Sequence, residues 1–179
     1  MEQPAPRHMT VAEFVAWDDG TDTRYELARG VPVAMNPPLA RHAVISGNLF
    51  RILDVRLRPP CRVWFGAGIA AEDEGDEYRI PDLFVACGPP GKWYFAEPRL
   101  IVEVLSPSTE KDDRTAKLDF YRSLPSVEAV LLVWQDARRI ELHARAGDIW
   151  QVRSVIGGGA VDLVALAVTL PLDEIYAEA

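Results

Sequence analysis

Glu103 is where a chemical reading of this chain begins. It interrupts the apolar run Leu100-Ile-Val-Glu-Val-Leu105. That run is too short for a globular helix and is rich in β-formers, so it reads as a buried central strand. An unpaired carboxylate buried there costs on the order of several kcal/mol, so it must be paired, protonated or bound to a cation. A second acid, Asp82, opens another apolar run, Leu83-Phe-Val-Ala-Cys87. If the two runs are neighbouring strands, two carboxylates converge on one point. Mg²⁺ is commonly held by one or two carboxylates together with waters and phosphate oxygens. Lys117 follows Glu103 on a predicted helix. It can stabilise charge developing on a phosphate or orient an attacking water. The alternative is structural: Asp82 caps a turn, Glu103 pairs with Lys117 or an arginine, and nothing reacts.

The elements that must position these groups are legible nearby. Ser106-Pro107-Ser108 stops the strand, because Pro107 cannot donate to a ladder, and Ser108 or Thr109 can cap a helix. Glu110, Asp112 and Asp113 fall where the helix dipole favours negative charge. Asp113, Lys117 and Tyr121 are spaced four apart and share one helical face. The spacing predicts a strand carrying one buried acid, a tight turn, and a helix whose lysine reaches back toward Glu103. Glu26, on a predicted hairpin, and His42, at the start of a long helix, are further polar residues beside apolar runs.

Composition sets the bounds. The chain has 179 residues, 49% of them hydrophobic and 26% charged, ordinary values for one folded domain spanning residues 1–179. No apolar run approaches the roughly 18 residues of a membrane helix, and no basic-then-apolar leader is visible, so the expected location is cytoplasmic and no membrane partner is expected. Cys61 and Cys87 have no metal-ligand spacing and read as reduced core residues. A net charge of −8 argues against a broad, non-specific nucleic-acid surface. It leaves room for a small acidic site that takes a divalent cation and then a phosphate.

Along the chain, Thr10-Val-Ala-Glu13 matches a capping box ahead of a short helix with Val11, Phe14, Val15 and Trp17 on its apolar side. Residues 24–28 and 31–35 flank Arg29-Gly30 as a hairpin, with Pro32 at an edge. Leu39 to Leu57 carries a helical period whose buried side is Val44, Ile45, Leu49, Ile52, Leu53 and Leu57. Glu72 to Glu77 reads as a solvated acidic turn; it lacks the ligand spacing of an EF-hand loop. Short strands are expected at 62–65 and 69–71, and longer ones at 83–87, 127–134, 138–144 and 149–155. Gly157-Gly-Gly159 reads as flexible, and a short helix is expected at 171–177. The mixed order suggests α/β or α+β, one mixed sheet with helices packed on it. Trp64, Phe65, Trp93, Tyr94 and Phe95 form two aromatic clusters near loops. Such residues favour interface cores, so a symmetric homodimer is expected. Ser106 and Ser108 lack the Gly-x-Ser-x-Gly turn of a serine nucleophile and read as capping residues.

Taken together, Ile80-Pro81-Asp82, Ile101-Val-Glu-Val-Leu-Ser-Pro-Ser-Thr109, Asp113-Arg114 with Lys117 and Tyr121, and Leu124-Pro-Ser-Val127 resemble the Uma-type restriction-endonuclease family of the PD-(D/E)XK nuclease superfamily. The opening Thr10-Val-Ala-Glu-Phe, the Tyr25-Glu26-Leu hairpin and the Pro37-Pro38 to His42 helix start are similar too, so the resemblance runs from about residue 9 to 176. It implies a restriction-endonuclease-like mixed β-sheet flanked by helices, with an N-terminal hairpin extension. It implies an Mg²⁺- or Mn²⁺-dependent endonuclease hydrolysing nucleic-acid phosphodiesters, with DNA the expected substrate. Asp82 and Glu103 match the two acids, the carbonyl of Val104 would be a further metal ligand, and Glu26 matches the acid from the early part of the fold. Leu105 stands where the superfamily usually has its lysine; in this family that role falls to Lys117. His42 and Tyr121 match positions near the site, without assigned roles. The alternative is a non-catalytic homodimeric binding or regulatory module that keeps the nuclease fold.

Overall fold

The computed structural model describes residues 8–106 and 113–179, and only the backbone of Asp113 and Arg114. At its centre is a six-stranded mixed sheet. The strands are β3 (Arg62–Trp64), β5 (Leu83–Ala86), β7 (Pro98–Leu105), β8 (Ala129–Trp134), β9 (Arg139–Ala146) and β10 (Ile149–Ile156). Their order across the sheet is β10-β9-β8-β7-β5-β3. Every neighbouring pair is antiparallel except β7 and β8, which run parallel. A parallel pair requires a crossover, and the helix α3 (Leu118–Ser123) lies in that connection.

Strand alternation sends successive side chains of β7 to opposite layers. Leu100, Val102 and Val104 join the larger core, where α2 (Ala40–Arg56) contributes Ile45, Leu49, Ile52 and Leu53. Ile101 and Leu105 face the second core with Leu118 and Tyr121 of α3. Glu103 therefore points into the layer between the sheet and α3. The reading of α2 holds except at Val44, which is 38% exposed, and Leu57, which follows the helix as its C-cap. Ile45 takes up the buried position that Val44 was expected to share.

Smaller units dress this sheet. The capping box of α1 (Val11–Ala16) is formed on both sides, Thr10 to Glu13 and Glu13 back to Thr10. The hairpin of β1 (Tyr25–Ala28) and β2 (Val31–Ala34) turns at Arg29 and Gly30, with φ of 48° and 76°. Two successive positive φ values are those of a type I′ turn, whose twist suits a hairpin. Single bridges, Leu27 to Tyr78 and Ile69 to Arg79, tie this hairpin and β4 (Gly68–Ile69) to the approach to β5. β4 pairs in parallel with β6 (Tyr94–Phe95), outside the main sheet. A C-terminal hairpin, β11 (Ala160–Leu163) with β12 (Val168–Pro171), escaped the sequence reading, and α4 (Leu172–Ile175) follows it.

Further sequence readings change. Cys61 and Cys87 are disulfide-bonded. The register that pairs Arg62 with Ala86 brings these flanking residues opposite each other, which spacing along the chain could not reveal. The acidic turn is not merely solvated: the carbonyls of Asp73 and Gly75 accept the N–H groups of Ala12 and Val11 at the start of α1. The aromatic clusters are largely internal, with Trp64 and Phe84 rings each 4.9 Å from Phe95, leaving Phe65 and Trp93 exposed. Ser108, Thr109, Glu110 and Asp112 lie outside the described residues. From Asp113 to Lys117 the backbone is a π-helical turn and not α-helix. Among the described residues, no helix is long and apolar enough to cross a membrane.

Two outcomes test this packing. Leu49→Ala, at a fully buried site, is expected to cost about 2–5 kcal/mol in urea denaturation, whereas Val44→Ala stays within about 0.5 kcal/mol. Tyr176, packed in the larger core with its hydroxyl 2.7 Å from the Arg139 carbonyl, is pushed up to about 12 by burial. A phenol raised in the folded state adds stability below its ordinary pKa and loses it as pH rises through the folded value. Wild type should therefore lose stability between pH 10 and about 12, and Tyr176→Phe should flatten that loss in denaturation curves recorded across the range.

Candidate functional site

Two neighbouring strands bring the two acids together. Leu83 of β5 is paired with Val102 of β7, so extending the register by one residue sets Asp82 opposite Glu103. β5 has ended there, and the Asp82 carboxylate fills the gap in the ladder. Its Oδ2 accepts the Val104 N–H at 2.6 Å and lies 3.1 Å from His42 Nε2 at the start of α2. A carboxylate only accepts, so this network assigns the proton of His42 to Nε2. Ser46, one helical turn on, lies 3.4 Å from His42 Nδ1. Both donors converge on one oxygen of Asp82. The other oxygen is without a partner among the described residues, and the side chain is 24% exposed. A strand residue's N–H and C=O point to the same side, so the Val104 carbonyl also faces the place where β5 has stopped.

Glu103 is buried, 3% exposed, and accepts the hydroxyl proton of Tyr121 on Oε1. Lys117 Nζ lies 3.6 Å from the same oxygen and 3.1 Å from Glu26 Oε1. Lysine and tyrosine are four apart at the junction of the π turn and α3, and both reach one carboxylate oxygen. The shared face expected for Lys117 and Tyr121 is thus present; the side chain of Asp113 lies outside the described residues. π turns are rare and are found frequently at functional sites.

Glu26 reaches the site from β1. It accepts the Ile80 N–H at 2.9 Å and faces Arg79 Nη1 at 3.4 Å as well as Lys117. Arg79 is 1% exposed and donates from Nε to Glu77 at 2.7 Å. Burial alone would lower its pKa, but the Glu77 and Glu26 carboxylates more than offset that and hold it above its ordinary value. Arg79, Glu77 and Ser46 were not singled out from sequence. An arginine two residues beyond an acidic turn and just before Pro81-Asp82 was the available signal for the first two. Ser46 offered only its helical spacing from His42.

Every sequence-predicted site residue thus lies in one connected cluster. Glu26 and Glu103 are engaged by Lys117, while Asp82 keeps one oxygen open. Among the described residues, no three His, Cys, Asp or Glu side chains stand close enough together to form a metal-holding group. The oxygen groups that a cation here could take are the Asp82 and Glu103 carboxylates and the Val104 carbonyl; Mg²⁺ is commonly held by one or two carboxylates together with waters and phosphate oxygens.

A mixed sheet flanked by helices, with an acid beside β5 and another inside β7, is restriction-endonuclease-like architecture. A family model, Uma2, described as "Putative restriction endonuclease", matches residues 11–173. The chain belongs to this family. The fold is similar to that of a crystal structure titled as a "putative nuclease belonging to DUF820" from Anabaena variabilis. The TM-score is 0.75 at 16% identity, covering 94% of this chain and 98% of that one. Two curated relatives from Synechocystis sp. are similar over nearly their full lengths. One, slr1290, is 27% identical over 178 residues, 97% of this chain and 93% of the relative. The other, sll1609, is 26% identical over 166 residues, 85% and 90% respectively. Both are named as uncharacterized proteins.

The ion-pair geometry generates a stability prediction. Lys117→Met leaves two buried acids without their shared cation and should cost about 3–5 kcal/mol. Adding Glu26→Gln should recover part of that loss. Urea denaturation of the two single variants and the double variant gives the coupling energy. Additive losses would mean that Lys117 and Glu26 do not depend on each other.

Proposed function

We propose that this protein is a divalent-metal-dependent endonuclease that hydrolyses nucleic-acid phosphodiester bonds, with DNA as the substrate. The observation that carries the reading is the partition of oxygens at Asp82 and Glu103. Asp82 is anchored through Oδ2 with its other oxygen open, directly beside a buried acid held by a lysine and a tyrosine. Family membership supports the nuclease class.

Asp82, Glu103 and the Val104 carbonyl are the groups that would hold Mg²⁺ or Mn²⁺. A cation there supplies Lewis-acid stabilisation of phosphoryl oxygen and lowers the pKa of bound water. The chain's own residues do the remainder. His42 and the Val104 N–H fix Asp82. Tyr121 and Lys117 hold Glu103 in one orientation. Lys117, kept in place by Glu26, presents a positive charge where negative charge develops on a phosphate. Arg79 neutralises the far side of Glu26, so that Lys117 is not the only cation holding that carboxylate.

A second reading, a non-catalytic homodimeric module that keeps the nuclease fold, is favoured by the net charge of −8. Metal binding and turnover separate the two. Mg²⁺ or Mn²⁺ should raise the melting temperature of wild type, as a ligand of the folded state does, and Glu103→Gln should abolish that rise. Lys117→Ala, assayed below its melting temperature, should keep the metal-dependent rise while cleaving DNA slower by about a hundredfold or more. Cleavage at the wild-type rate would remove Lys117 from the mechanism. A wild type that cleaves no DNA or RNA with either metal would leave the binding module as the better reading.

A further inference from the structure

The two edges of the central sheet are not alike. β3 is three residues long. β10 runs for eight, Ile149 to Ile156, and among the described residues no strand pairs with its outer side. Natural edge strands are usually shortened, bulged, or armed with lysine or proline against pairing. β10 has none of these: its ladder with β9 is unbroken from Ile149–Ala146 to Ile156–Arg139, and it contains neither residue. Ile149, Val152 and Ile156 are 62%, 54% and 69% exposed.

Register tells which groups are open. Gly147-Asp148 is a two-residue hairpin loop, so Ala146 and Ile149 exchange both backbone bonds. The N–H and C=O of Trp150, Val152, Ser154 and Ile156 therefore point outward. The Gly157 N–H bonding inward to the Arg138 carbonyl fits the same phase. An antiparallel copy of β10 meets them in phase when a two-fold axis passes through Val152. That register sets Val152 against Val152, Ile149 against Val155, Gln151 against Arg153, and Trp150 against Ser154. Val152 meets itself and Ile149 meets Val155, while Arg153, the only charged residue of the strand, meets an amide. Moving the axis to Arg153 places two guanidinium groups face to face, which is unfavourable.

We propose that β10 is the dimer interface of this protein: two copies pair antiparallel along it and join their six-stranded sheets into one. This places the contact away from Phe65 and Trp93, the aromatic residues left exposed.

Light scattering after size-exclusion chromatography of the full chain at high micromolar concentration should give about twice the 19.9 kDa monomer mass. Val152→Pro removes an outward N–H that β9 does not use, and Val152→Lys sets two ammonium groups together on the axis. Both should run as monomers with unchanged circular dichroism, and the lysine variant decides the matter if the proline variant misfolds. Cys61 and Cys87 are already bonded to each other, so Val152→Cys offers a single new thiol and should cross-link the dimer on oxidation, while Val155→Cys should not. A monomeric wild type, a dimer that survives Val152→Lys, or cross-linking through Val155→Cys and not Val152→Cys would each overturn the proposal.

Discussion

A single buried ammonium between two buried carboxylates constrains much of this structure. Lys117 lies 3.1 Å from Glu26 and 3.6 Å from Glu103, and all three are nearly inaccessible to water. Removing charges from water is expensive, and the expense is offset only when remaining lone pairs and protons are also satisfied. The surroundings meet that demand. Tyr121 serves Glu103, the Ile80 N–H and Arg79 serve Glu26, and Glu77 serves Arg79 in turn. The chain departs from α-helical geometry at 113–117 just where the lysine must be aimed inward.

Asp82 obeys a different logic. It stands where β5 stops, partly exposed, and one oxygen takes the Val104 N–H and faces His42. Next to a saturated ion-pair network it is the acid with capacity left. We take that contrast as the mark of a site that receives a charged ligand and not of buried acids that only balance each other. The proposed endonuclease activity rests on it. The overall acidity of the chain is compatible with a site that meets phosphate through a cation and one lysine without a broad basic surface.

Much of this was legible in the sequence because it depends on local rules. A lone acid in an apolar run must be inside, and Glu103 is. A Thr-x-x-Glu pattern satisfies two free N–H groups, and Thr10 and Glu13 do so. Of the residues that carried the Uma-type resemblance, Glu26, His42, Asp82, Glu103, Lys117 and Tyr121 meet in one cluster. What escaped depends on pairings between distant segments. Cys61 and Cys87 meet because β3 and β5 are neighbours in register, a fact invisible in their spacing. Glu77 read as part of a solvated acidic turn and Arg79 carried no reading of its own, because both depend on Glu26 arriving from the β1–β2 hairpin. Val44 carries the helical period of a buried residue yet lies beyond the stripe that the sheet covers. The hairpin of β11 and β12 was hidden because Val161, Leu163, Val168 and Leu170 are separated by a 3₁₀ turn.

The hairpin that supplies Glu26 has a consequence for how the molecule comes together. Glu26 is made early in the chain, Glu103 and Lys117 much later, and single bridges at Leu27 and Ile69 join the hairpin to the segment before β5. Contacts between distant segments bear their loop-closure entropy before they are rewarded. A chain that has formed its central sheet but not yet docked this hairpin lacks the Glu26 carboxylate, a partner of both Lys117 and Arg79. Completion of the charged cluster therefore waits on the docking of this hairpin, and a molecule arrested short of it leaves buried charges without one of their partners.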